Sequence, residues 1–188
     1  MELFKNIRLK IGKSILSRKI AGKKRKVFYS DFSQVKKIGV VWDASKPEDF
    51  ERLSKFYQKM HEKNINVSII SYFPGKNLPD QFTAIRYLTC LRREEIGFFN
   101  NPYSAEAINF IKNPFDVLID INFKKILPLH YISSLSDARF KVGLSDSDPD
   151  HSPFDLMMDI VKPVDVENYL NQVIHYLEMM NSGKAKTI

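Results

Sequence analysis

Two hydrophobic periodicities alternate along this chain, and their order constrains the fold more than any other feature. Residues 36–44 hold Ile38, Val40, Val41 and Trp42. Residues 66–73 form a similar run, and Phe115-Asp116-Val117-Leu118-Ile119-Asp120-Ile121 is the clearest of all. Such short runs, rich in β-branched and aromatic residues, suit strands buried on both faces. Between and after them the apolar spacing becomes helical. Phe50, Leu53, Phe56 or Tyr57, and Met60 mark a helix over about 47–63. Leu127–Leu135 marks another, and Val166, Tyr169, Leu170, Val173, Ile174 and Leu177 line a last one over about 164–181. A strand–helix–strand succession requires parallel strands joined by right-handed crossovers. The expected fold is therefore α/β: a Rossmann-like three-layer sandwich with a mostly parallel sheet, preceded by a basic N-terminal helix.

Local signals place the boundaries. Ser45 with Glu48 reads as a capping box, with Pro47 in the first turn and Asn64 ending the helix. Pro74-Gly75 ends the second strand, Ser104 caps a helix over 105–112, and Asn113-Pro114 stops it. Residues 76–103 are ambiguous: Asp80 to Arg92 reads as helix or extended chain, and Ile96-Gly97-Phe98-Phe99 as a short strand. Strands are expected at 139–144 and 154–160, separated by an acidic loop over 145–153, with Pro163 opening the last helix. No internal repeat or low-complexity linker interrupts this order. The partition is a basic arm, 1–26, and one domain, 27–188.

The charge is concentrated in the arm. The chain carries +7, with 29 Lys and Arg against 22 Asp and Glu. Residues 1–26 hold ten basic side chains and only Glu2 as an acid, +9, which leaves −2 for everything else. Phe4, Ile7, Ile11 and Ile15 recur at helical spacing with Leu3 beside them, while Leu9, Leu16 and Ile20 fall on the other side. Three readings of the arm stay open: a helix docking this stripe on the domain, a helix lying on an anionic membrane surface, or a contact with RNA phosphates. The contact residues expected for either polyanion are Lys10, Lys13, Arg18, Lys19, Lys23, Lys24, Arg25 and Lys26. The longest apolar stretches are far shorter than the roughly 20 residues a membrane span needs, so no transmembrane span is expected.

Few residues announce chemistry. In open parallel sheets ligands collect beyond the carboxyl ends of the strands, where Asp43, Ser45, Asp120 and Asn122 should lie. These carboxylates read either as a ligand-cleft pair or as caps for nearby backbone N–H groups. No glycine-rich loop follows the first strand, so the usual basis for dinucleotide binding is missing. His61, His130, His151 and His175 are scattered. The acids at 146–150 lack the glycine and terminal Glu of a calcium loop. Cys90, the single cysteine, reads as a buried inert thiol, and it excludes a disulfide scaffold. Arg139 and Lys141 alternate on a strand as on a solvated edge. No catalytic residue, metal ligand or cofactor is assigned.

The stretch from Phe115-Asp116-Val117-Leu118-Ile119-Asp120-Ile121 to Ala138-Arg139-Phe140-Lys141-Val142-Gly143 resembles the acceptor-side N-terminal half of heptosyltransferase-type GT-B glycosyltransferases. That resemblance brings Arg139 and Lys141 into the candidate cleft set. It implies a scaffold rather than a reaction, because the donor-binding half of those enzymes has no counterpart in this chain. The whole order, including Ile38-Gly39-Val40-Val41-Trp42-Asp43-Ala44 and the 154–159 strand, is also similar to an uncharacterised Bacteroidota family of short single-domain proteins. The expected function is a non-catalytic binding or scaffold protein whose arm contacts an anionic surface. It would be cytoplasmic, at the inner face of the membrane if lipid is that surface, and a protein partner is compatible with the same reading. The alternative is an enzyme or ligand-binding domain acting on a sugar or phosphorylated small molecule at the strand edge.

Overall fold

Six strands pair in the order β3-β2-β1-β4-β5-β6, every neighbouring pair parallel. They are β1 (Lys37–Asp43), β2 (Asn66–Tyr72), β3 (Leu88–Leu91), β4 (Val117–Asp120), β5 (Phe140–Leu144) and β6 (Leu156–Met158). The helices are α1 (Glu2–Ala21), α2 (Phe50–Glu62), α3 (Ala105–Lys112), α4 (Leu127–Leu135) and α5 (Val166–Met179). The computed structural model describes residues 2–29, 31–145, 152–159 and 165–180. The centre of the expected acidic loop and the expected start of the last helix at Pro163 lie outside them.

Strand alternation sorts the core into two layers. Ile38, Val40 and Trp42 of β1 and Val117 and Ile119 of β4 face α2 and α5. Val41 and Leu118 face α3 and α4 on the opposite side. Trp42 is held by Phe50 and Phe82, ring centroids 6.1 and 5.4 Å away. The α/β sandwich expected from periodicity is thus the observed fold, and its strand order is the doubly wound one, with the reversal between β1 and β4.

Several local expectations are corrected. Ser45 and Glu48 make no capping box. The chain passes through a 3-10 turn at Pro47–Asp49, and α2 starts without a side-chain cap. Of the two readings left open for residues 80–92, the structure takes the extended one: a 3-10 turn and then β3, with no α-helix. The expected strand at 96–99 is a single antiparallel bridge, Ile96 to Pro102. Ser104 does cap α3, its hydroxyl accepting from the Ala107 N–H at 3.2 Å.

α1 docks on α4, by the face opposite to the expected one. Leu16 is buried against Leu127 and Tyr131, with Leu9 and Leu135 beside them. The Tyr131 hydroxyl donates to the Gly12 carbonyl at 3.1 Å. Gly12 permits this approach, since a Cβ there would overlap the Phe99 carbonyl oxygen and press on Leu127. Close backbone contact, not the apolar stripe, selects the docking face. α4 is consequently covered on both sides, seven of its nine residues being buried.

Gly12→Ala is expected to destabilise the protein by about 1–3 kcal/mol, the usual cost of overpacking. Gly22→Ala, whose Cβ would meet only helix carbonyls at 3.6 Å or beyond, should change stability by less than about 1 kcal/mol. Urea unfolding of both variants checks the pair.

Candidate functional site

The carboxyl ends of β1 and β4 open into two cavities. The larger, about 550 Å³, is lined by residues that include Trp42, Asp43, Ser45, Lys46, Asp49 and Asn100, with Leu9 of α1 closing one wall. The smaller, about 160 Å³, contains Asp120, Asn122 and His130. Phe123, Lys124 and Ile126 border both. The predicted pair, Asp43 and Asp120, is therefore not one site. Asp120 pairs in register with Val41, two residues short of Asp43 along β1.

Both aspartates cap backbone. The Ser45 N–H donates to Asp43 at 3.0 Å and the Asn122 N–H to Asp120 at 2.9 Å. Asp120 is 6% exposed and also accepts from the Ser133 hydroxyl of α4 at 2.5 Å and from the Asn122 amide at 2.6 Å. Burial pushes its carboxyl up to about 6, with these hydrogen bonds opposing the shift. Asp49 is also raised by burial, against the pull of Arg52 3.1 Å away. Among the described residues no three His, Cys, Asp or Glu side chains gather as a metal set.

Lys141 overturns its sequence reading. It lies on β5, an interior strand flanked by β4 and β6, and is only 2% exposed. Its ammonium donates to the Ser133 and Ser134 carbonyls at 2.7 and 3.0 Å, near the end of α4. Burial, aided by Arg25 and Lys23, lowers it to about 7. Arg139 does lie exposed, paired with Asp116 at 3.3 Å. Neither residue lines the larger cleft.

The basic arm is divided in its roles. Lys23 pairs with Asp137 at 2.7 Å and donates to the Leu135 carbonyl. Arg25 grips Asp155 with two nitrogens, at 2.6 and 2.9 Å, and also donates to the Ala138 and Arg139 carbonyls. These two cations, expected at an outside polyanion, are engaged by the domain. Lys19 lies over the Tyr131 ring at 5.8 Å. Lys10, Lys13, Arg18, Lys24 and Lys26 are exposed.

The chain belongs to the Family of unknown function (DUF6913). The match spans residues 8–180, so within DUF6913 it reaches from α1 past the end of α5. A comparison with curated proteins found no match.

Sequence reasoning missed Asn100. It is 7% exposed with φ of 63°, and the Asn100-Asn101 pair after Phe99 carries no sequence signal beyond the tolerance of Asn for that backbone region. The scattered histidines behave as expected where described: His61 stacks on Tyr57 and His175 lies beside Tyr176, both exposed. His151 lies outside the described residues. Cys90 is half-buried and its thiol is raised, chiefly by burial.

Two pH responses follow. The folded chain holds the Asp120 proton across the window from about 4 to 6, where the unfolded chain has released it. Wild type should therefore lose about 3 kcal/mol relative to Asp120→Asn as pH rises through that window. Lys141 acts in the opposite sense. Between about 7 and 10 the unfolded chain holds a proton that the folded chain has lost, so wild type should gain on Lys141→Met as pH rises there. Denaturant unfolding at stepped pH measures both differences.

Proposed function

We propose that this chain is a non-catalytic binding protein whose helix α1 lies on an anionic membrane surface. The observation that carries the reading is the outer face of α1. Phe4 is 78% exposed, Ile7 45% and Ile11 41%. Lys10, Lys13 and Arg18 are exposed on the same helix, and no acid occurs from Leu3 to Ser30. An apolar row flanked by cations suits the headgroup boundary, where apolar burial and attraction to anionic lipid add. RNA would use the cations and leave the apolar row idle, so lipid is favoured. Among the described residues no helix is long and apolar enough to cross a membrane, and the proposed attachment is peripheral. A cytoplasmic location at the inner membrane face, a Bacteroidota origin, and descent from the acceptor half of a heptosyltransferase-type enzyme belong to the same proposal.

A second reading is favoured by the cleft of about 550 Å³ at the strand-order reversal, within the size range of small-molecule sites. It is ligand binding at that edge, with a sugar or phosphorylated small molecule as the expected class. The backbone-capping role of Asp43 speaks against acid–base catalysis there.

Co-sedimentation with phosphatidylcholine vesicles containing phosphatidylglycerol tests the first reading. Replacing Lys10, Lys13 and Arg18 together by Ala should weaken binding about 100-fold, at about 1 kcal/mol per cation. Ile7→Asp with Ile11→Asp should abolish vesicle binding while leaving the fold intact, because both side chains are exposed. Equal sedimentation of wild type and the Asp variant refutes the proposal. Retention on poly(U) without vesicle binding would move the contact to RNA.

A further inference from the structure

The loop between β3 and α3 exposes an aromatic ring beside α1. No charged residue occurs from Ile96 to Tyr103, and the segment is held in shape by its own backbone. The Gly97 N–H donates to the Asn101 carbonyl at 2.8 Å, the Asn100 N–H to the Gly97 carbonyl at 2.9 Å, and the Tyr103 N–H to the Glu95 carbonyl at 3.2 Å. Phe98 projects from this loop 71% exposed, with the Phe99 ring edge-on at 5.2 Å. A single exposed phenylalanine is ordinary. A contiguous apolar patch built from two elements marks an interaction surface.

The second element is α1. The Arg8 guanidinium lies 5.5 Å from the centroid of the Phe98 ring and donates to Asn100 Oδ1 at 3.3 Å. One turn further along the helix, Gly12 meets the Phe99 carbonyl. The loop therefore follows the edge of α1 from Arg8 to Gly12. Phe4 and Ile11 stand at i−4 and i+3 from Arg8, the spacings that bring side chains together on a helix, and Ile7 adjoins both of them. Phe98 thus borders the exposed row of Phe4, Ile7 and Ile11 across a single arginine, and the exposed Lys10 flanks the row from its other side.

We propose that the Phe98 loop enters the same anionic bilayer interface as α1, as a second apolar anchor. The charges fit: the loop carries none, and Arg8, Lys10 and Lys13 beside the row are all cations, which anionic headgroups attract. A helix lying alone on a surface is free to roll about its axis. A loop fixed to its side at Arg8 and Gly12 sets that roll, and with it the face that the domain turns to the bilayer. The inference rests on the first reading above and deepens it, by naming the second element of the membrane contact.

Phe98→Ser in the full chain should bind phosphatidylcholine vesicles containing phosphatidylglycerol about tenfold more weakly than wild type, the loss expected for one partly buried ring. Met179→Ser removes a similarly exposed side chain from α5, which packs on the opposite side of the sheet from α4, and should change nothing. Phe98→Trp keeps an aromatic anchor and reports its depth. Trp42, the single native tryptophan, is 1% exposed, so brominated phosphatidylcholine in the vesicles should leave wild-type emission unchanged and quench that of Phe98→Trp. The Trp variant tests insertion even where the Ser variant loosens the loop. Phe98→Ser binding as tightly as wild type, or Phe98→Trp sedimenting without quenching, overturns the second anchor and leaves the α1 contact standing. Wild type that fails to sediment overturns both.

Discussion

Helix α4 ends inside the protein, and the last carbonyls of any helix have no partner within it. Here cations take up that role. Lys141 serves the Ser133 and Ser134 carbonyls from β5, and Lys23 serves Leu135 from the segment after α1. Arg25 serves Ala138 and Arg139 just beyond the helix. Positive charge is also the favoured sign at a helix C-terminus. α4 can therefore be buried on both faces, against the sheet on one side and α1 on the other. The same contacts bring Leu9 to the wall of the cleft, and Arg8 to Asn100. Part of the basic arm is thus explained by the demands of one buried helix end, before any outside partner is considered.

The strand–helix order was readable because each element repeats its burial period over several residues. β1 carries Ile38, Val40, Val41 and Trp42, and α5 carries six buried apolar residues at helical spacing. A period survives local noise. The face on which α1 docks was not readable, because apolar content pointed to Phe4, Ile7 and Ile11 while backbone proximity decided for Gly12. A missing side chain adds nothing to a hydrophobic pattern, yet it sets how near two helices can come. Lys141 was misread for a related reason. Alternation identifies a strand but not its neighbours, and a lysine on a solvated edge looks the same as one reaching the carbonyls of a covering helix.

The candidate cleft was half legible. Its location followed from a parallel sheet whose strand order reverses between β1 and β4, and Asp43 and Ser45 do line it. Asp120 and Asn122 were drawn elsewhere by α4, whose Ser133 captures the Asp120 carboxylate. Asn100 escaped notice because it lies in the irregular stretch after β3, where no period exists. Its side chain meets Arg8, 92 residues away in sequence. Contacts of that kind carry no local signature.

The missing glycine-rich turn also limits what this cleft can hold. After β1 the chain runs Asp43-Ala44-Ser45-Lys46-Pro47, and the Ser45 N–H is already given to Asp43. In dinucleotide sites that turn presents free backbone N–H groups to a pyrophosphate. Here the turn faces inward on its own carboxylate, and Leu9 of α1 closes one wall of the cleft. The inner face of α1 then shapes the cleft while its outer face stays exposed, and the two faces of one helix can serve separate surfaces without sharing a side chain.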